Sequence, residues 1–437
     1  MSAAASSTAR LTVRSPGSDQ HFGFSVAASA DGPTVVAGAP QAAVAGHQGQ
    51  GAAYVFVRPR GGRAAAVELV ASGGMAHEHF GSSVAVSASG AAIIVGAPDA
   101  AVSGQQDAGV AYVFLRPPGG WQRGATVKHP AAALILGRGA RGDLLGTSVA
   151  VSGDGRTVIA GGYGTTVRGD PQQGAAYVFS APTKGWKGAG VEHPAAELTA
   201  SDGSASDFLG WAVAISRDGS TVVAGAPFAG RPVGGQGLAY VFVRAGRRWS
   251  SATQAAELRA SNGIPGDALG VSVAASADGS TLAVGACCAN VAGHRGQGAV
   301  YVFSRGARGW ANRTQAGELT ALDGAAGDNL GSSVAISPSG ALVAAGAIGA
   351  RVNGQPDQGA VYLFKRAAGG WRSRGDMAKL TAAGAAAREL VGSSLALIPG
   401  TGVVAAGAPD AAVSGVHGAG AVYLLSAPAL TPGRARP

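Results

Sequence analysis

An all-β ring of seven four-stranded antiparallel sheets is the fold this sequence predicts, and three observations predict it. Leu11, Leu69, Leu134, Leu198, Leu258, Leu319 and Leu380 each stand twelve positions before a glycine, at Gly23, Gly81, Gly146, Gly210, Gly270, Gly331 and Gly392. A second glycine follows fifteen positions later, at Gly38, Gly96, Gly161, Gly225, Gly285, Gly346 and Gly407. A tyrosine then closes each unit, at Tyr54, Tyr112, Tyr177, Tyr240, Tyr301, Tyr362 and Tyr423, sixteen positions on in six copies and fifteen in the fourth. The period runs from 58 to 65 residues, and the length variation falls outside this core. Self-similarity at fixed spacing marks a repeat architecture. It also explains how 437 residues exceed the one-core limit of about 250–300, since each unit packs only on its neighbours.

Each unit reads as four short strands. The first surrounds the leading glycine, as in FGFSVAAS at 22–29, where Gly, Ser and Ala suit a strand approached closely by other backbones. A tight turn follows, Asp-Gly at Asp31, Asp154, Asp218 and Asp278, and Asp-Gly supplies the positive φ angles of a two-residue hairpin. The second strand, TVVAGA at 221–226, is apolar without alternation and should be covered on both faces. A Gly- and Gln-rich loop leads to the third strand, which carries the tyrosine. A Gly-rich link then bears Trp121, Trp186, Trp249, Trp310 and Trp371, each nine residues after its tyrosine, with Arg63 at that place in the first copy. The fourth strand carries the leucine that opens the next unit.

The ends account for closure. The last copy supplies three strands, to about Leu425, and the chain begins with a lone leucine strand, ARLTVRS. Joining them completes a seventh sheet and leaves no open edge in the ring. The expected boundaries are a flexible stretch at 1–10, one propeller at 11–429 and a flexible basic tail at 430–437.

Four antiparallel strands repeated seven times describe a β-propeller. WD40 units run about 40–45 residues and kelch units about 50, so the period excludes both. The Phe-Gly and Gly-Ala-Pro landmarks either side of a short turn resemble the FG-GAP repeats of the integrin α-subunit propeller. They are still more similar to bacterial and algal FG-GAP proteins. The resemblance covers about residues 11–426, with Leu or Val for Phe at 145, 209, 269, 330 and 391, and Pro lost at 163, 287 and 348. It implies a non-enzymatic scaffold for binding or adhesion. It also implies calcium in loops of the form DxDxDG between the first two strands. Here those turns (SADGPT, SGDGRT, SRDGST, SADGST and three others) hold at most one carboxylate each. Calcium takes about six to eight oxygens, so no metal is expected.

Two charged features are candidate sites. An acid stands three positions before the leading glycine in six copies, at Glu78, Asp143, Asp207, Asp267, Asp328 and Glu389, with Gln20 in the first. The strand order implied by the resemblance would place these acids around the mouth of the central channel. Each could cap N–H groups of its own turn, or the six could converge on a cation or basic ligand. Charge is also segregated: the six complete links hold nineteen Lys and Arg against six acids, in a chain of net charge +9. Arg58, Arg60, Arg244, Arg247, Arg248, Arg305, Arg308, Lys365, Arg366, Arg372 and Arg374 would form a basic outer rim on the opposite face. Such a rim can attract polyanions or protect sheet edges.

Evidence for catalysis is absent from the motifs. His21, His79, His47, His294 and His417 are accompanied by no serine elbow, HExxH or phosphate loop, and are expected to be solvated. Three RGD triplets, at 141–143, 168–170 and 374–376, carry little weight in a chain this rich in Gly and Arg. The sequon at Asn312 matters only in a secreted protein. Residues 1–10 lack the apolar run of a signal peptide, no stretch is long enough to span a bilayer, and adjacent Cys287 and Cys288 form no disulfide framework. Sequence alone therefore points to the cytoplasm, and the resemblance to the outside of the cell. The expectation is a monomeric scaffold, without cofactor or nucleic acid, that binds a protein or glycan through loops on the acidic face. A lectin-like carbohydrate-binding propeller is the alternative, and a hydrolase or lyase the third reading.

Overall fold

In the computed structural model, residues 7–31, 34–57, 66–137, 139–230, 235–375 and 377–426 are described, and they form seven sheets and no helix. The sheets are blades. In blade one the strands are Val26–Ala28, Thr34–Ala39, Ala52–Val57 and Val67–Leu69, paired in that order. First strands of successive blades contact one another around the whole ring, so they line the axis. All seven opening leucines lie in fourth strands and are at most barely exposed. The second strand of blade four, Thr221–Ala226, is buried at every position, as its unbroken apolar run requires.

The core is seven wedges, one between each pair of neighbouring blades. Between blades one and two, Val36, Ala53 and Val55 of one sheet meet Phe80, Phe114 and Trp121 of the next. Each blade thus turns a small-residue face to its successor and an aromatic face to its predecessor, so the wedges fill without strain.

The two glycines of each unit make this approach possible. The leading glycine has positive φ, +91° at Gly23, which L-residues rarely adopt. The second glycine faces the next blade's backbone: a Cβ on Gly225 would overlap the Gly270 carbonyl, and one on Gly407 the Gly23 carbonyl. In five blades the carbonyl of the leading glycine is also hydrogen-bonded by a serine of the preceding blade. Ser25 Oγ donates to Gly81 at 2.8 Å, and Ser394 Oγ to Gly23 at 2.8 Å, so blade seven locks onto blade one as blade one locks onto blade two.

Closure uses the N-terminal strand. Ser7–Leu11 pairs antiparallel with Ala421–Ser426, Arg10 opposite Tyr423 and Leu11 opposite Val422. The strand begins at Ser7, so residues 7–10, expected to be flexible, pair in the ring; the register shifts once, between Ser7 and Ala9. Residues 1–6 and the expected tail at 430–437 lie outside the described residues.

Blades one to five have five strands where four were expected. The fifth is two or three residues long and comes from the next blade's link: Thr126–Val127 pairs parallel with Val67–Leu69, and Arg313–Thr314 with Ala256–Arg259. Each link therefore covers its predecessor's outer edge, which would otherwise present unpaired N–H and C=O groups. Blades six and seven keep four strands; the link that would cover blade seven, residues 58–65, lies outside the described residues.

On the turn face, where first strands pass into second, backbone bonds join the turns in sequence. Asp31 N–H donates to Ala88, Ala88 to Gly153, Gly153 to Arg217, Arg217 to Ala277 and Ala277 to Pro338, where the lack of an N–H ends the series. The Arg217 guanidinium spans from blade four to the Asp31 carboxylate of blade one at 2.7 Å. In the five links that carry a tryptophan, its Nε1 donates to the turn glycine of the same blade, Trp249 to Gly219 at 3.0 Å.

Candidate functional site

The opposite, entry face carries the loops into first strands and those from second to third strands. Its acids serve their own turns. Asp143 accepts the Ala140 N–H at 2.6 Å, Asp207 that of Ser204 at 2.7 Å, Asp267 that of Ile264 at 2.8 Å and Asp328 that of Ala325 at 2.8 Å. Glu78 departs from this pattern: its Oε2 is buried without a hydrogen-bond partner. Glu389 instead accepts the Tyr423 hydroxyl at 2.6 Å. All but Glu78 are buried, and Asp143, Asp207, Asp267 and Glu389 lie beside the third-strand tyrosine of their own blade. Of the two roles open to these acids, the four aspartates take the cap of their own turn, and Glu389 bonds to the third strand.

Burial pushes the carboxyls of Glu78, Asp143, Asp267 and Asp328 above their ordinary range, and in the three aspartates it outweighs the N–H each accepts. A group that holds its proton more tightly when folded favours the fold most below its unfolded pKa, and loses that contribution as pH rises through the folded one. Wild type should therefore lose melting temperature relative to Asp267→Asn between about pH 4 and neutral. A constant difference across that range would count against the assignment. Truncation of Asp207 to Ala should cost about 0.5–2 kcal/mol, as for helix caps.

At the channel mouth, a pocket is lined by residues from four other positions of the unit: two before and one after the leading glycine, and two and three after the second. The first of these has positive φ in all seven blades, for example 54° at His21, 57° at Phe208 and 55° at Leu390. No β-branched residue occurs there, in keeping with that conformation. These positions differ from blade to blade, and the differences cluster.

Blades seven, one and two enclose a pocket of about 550 Å³, within the range of small-ligand sites. Phe24, 49% exposed, stands in its wall with His21, Gln41, His79 and Asp410. His21 Nδ1 lies 3.0 Å from Asp410 Oδ1 across the junction that closes the ring. His79 Nδ1 lies 2.5 Å from Asp99 Oδ2. A carboxylate can only accept, so each pair places an imidazole proton on Nδ1, and in the neutral ring Nε2 is then an acceptor. These two histidines are oriented, not merely solvated. His47 and His294 are also held, 2.9 and 3.0 Å from the carbonyls of Gly74 and Gly324.

Blades three and four place aromatics at the same positions. Tyr163 packs on Phe208 at 5.5 Å and on Trp211 at 4.9 Å, and Phe208 on Phe228 at 5.3 Å, with Phe228 48% exposed. Blade five carries Cys287 and Cys288 there.

Against known families, the FG-GAP repeat model matches residues 6–56, 65–114, 194–242, 252–303 and 313–364, more than half of the chain. The chain is an FG-GAP repeat protein. No curated protein matches it. The first three strands of blades three and seven of this FG-GAP propeller fall outside the matched ranges, yet Val149↔Ala160 and Leu395↔Ala406 repeat the register of Val26↔Ala37. Both diverge at their landmarks, with Tyr163 for Pro in blade three and Val391 for Phe in blade seven.

The links, with the basic residues, lie on the turn face, as the Trp bonds to turn glycines show. Arg247, Arg248, Arg305, Arg308, Lys365, Arg366 and Arg372 are exposed there and Arg244 is half-buried. Arg58 and Arg60 lie outside the described residues, as does the side chain of Arg374. In the turns themselves the single carboxylates are occupied. Burial would raise the Asp278 carboxyl, but donation from Ser276 Oγ and from the N–H and Oγ of Ser280 outweighs it and holds it at about 2. Among the RGD triplets, Asp143 is buried in its cap, Arg168 is exposed in a tight hairpin, and Asp376 lies outside the described residues.

The mouth residues went unread in the sequence because they pair across distance. His21 and Asp410 are 389 positions apart. Aligning the seven units on their glycines and asking where they differ is the signal that finds them.

Proposed function

We propose that this FG-GAP propeller is a non-enzymatic binding scaffold that engages its partner at the mouth of the entry face. One observation carries the reading. The leucine and both glycines recur in every unit, whereas the mouth positions diverge and group into an oriented polar pocket and an aromatic cluster. A scaffold needs its framework repeated, and a site needs that symmetry broken. The two pocket serines donate to the carbonyls of His79 and Leu390, at 2.8 and 2.7 Å, rather than to an imidazole, which favours binding over nucleophilic catalysis.

A carbohydrate is the second reading, favoured by one feature of the pocket. The exposed Phe24 ring offers a face for stacking beside the Asp410 carboxylate, the Gln41 amide and two imidazole acceptors. A glycan array run with wild type and Phe24→Ala tests it. Saccharide binding should appear with wild type and fall about tenfold or more in the variant. The melting temperature should move little, since the ring is half exposed; its removal should cost within about 0.5 kcal/mol. An array without hits, alongside a protein partner that Phe24→Ala fails to bind, would keep the scaffold and discard the sugar.

A further inference from the structure

The two cysteines occupy mouth positions of blade five, and their geometry is specific. Cys287 Sγ and Cys288 Sγ lie 3.2 Å apart, with Cys288 exposed and Cys287 half-buried. The dipeptide is tethered on both sides: the Cys287 carbonyl accepts from Asn329 Nδ2 of the next blade at 3.3 Å, and the Cys288 N–H donates to the Asp267 carbonyl at 3.3 Å. The backbone thus holds both sulfurs towards each other. Burial and the neighbouring thiol push Cys287 up to about 12, so it stays a thiol at neutral pH.

We propose that Cys287 and Cys288 form a two-thiol chelating site for a trivalent metalloid, arsenic(III) or antimony(III). Thiol sulfur selects soft centres. Zinc would need about four ligands, and among the described residues no third His, Cys, Asp or Glu joins the pair. A three-coordinate centre needs only two ligands from the protein and keeps its own third substituent. A disulfide fits less well. Adjacent Cα atoms are about 3.8 Å apart, below the roughly 4.4–6.8 Å of ordinary disulfides, and closing the ring would pull on both tethers. With phenylarsine oxide the exposed thiol adds first and the second closes the ring. Two S–H bonds and the As–O bond break, two As–S bonds form, and both protons leave with the oxygen as water. Arsenic stays trivalent, and no oxidant or reductant is required.

The test uses phenylarsine oxide on the full chain, read by intact mass. One phenylarsenic group should add, persist in excess 2-mercaptoethanol and come off with 2,3-dimercaptopropanol. Folded protein should resist stripping to about tenfold more monothiol than urea-unfolded chain, because preorganisation removes an ordering cost. Cys288→Ser, at an exposed position, should fold normally and lose the retention; Cys287→Ser should do the same. Retention undiminished in Cys288→Ser, or equal in folded and unfolded chains, would overturn the proposal.

Discussion

Deleting residues 1–16 should collapse the stability of the ring. The deletion removes the fourth strand of blade seven, with the fully buried Leu11 and nearly buried Val13. Burial of those two side chains alone is worth about 3–6 kcal/mol, which rivals the whole margin of about 5–15 kcal/mol for a folded domain. It also bares the third strand, Ala421–Ser426, whose N–H and C=O groups would seek another chain. Aggregation should therefore accompany the loss. Thermal melts of the truncated protein check this. A synthetic peptide of residues 6–15 should restore part of the lost temperature by taking the vacant edge, as strand addition does elsewhere. An unchanged melting temperature would mean that Ser7–Leu11 does not close the ring.

Gly225→Ala should be nearly as damaging, though it adds one carbon. The Cβ would overlap the Gly270 carbonyl oxygen, which is backbone and cannot rotate away. Blades four and five must then separate along their inner strands, and a cost above about 4 kcal/mol is expected, in the exceptional range for point mutants. Gly246→Ala is the control. Nothing lies within 4 Å of a Cβ there, and the substitution should be neutral or stabilise by up to about 1 kcal/mol through the unfolded chain. Similar melting temperatures for the two variants would undo the interlock account of the repeated glycines.

These effects show why the fold was legible before the structure. The leucines, the glycine pair and the tyrosine recur because each blade has the same contact to make with the next, so geometry is written seven times in residue type. The fifth strands were not legible. Thr126–Val127 and Arg313–Thr314 are two residues long, carry no periodicity, and pair with the preceding blade's edge rather than with anything local. The acids were located on the right loop, and of the two roles open to them the turn cap is the one Asp143, Asp207, Asp267 and Asp328 take. Strand order fixes where a loop enters, whereas the side chain's direction depends on the N–H three residues back and on the tyrosine beside it. The His21–Asp410 pair was invisible for another reason: it exists only once the two ends of the ring meet.

On the proposal made above, partner recognition resides in the divergent mouth positions, not in the repeated caps or the basic rim. Affinity for one ligand, the strongest array hit or a captured protein partner, should be measured across three variants. Phe24→Ala with Asp410→Ala alters the mouth, Asp207→Ala with Asp267→Ala the caps, and Arg247→Ala with Arg305→Ala the rim. The account predicts that the mouth variant alone loses binding, by about tenfold or more, while all three stay folded. Binding that survives in the mouth variant and disappears in either of the others would contradict it.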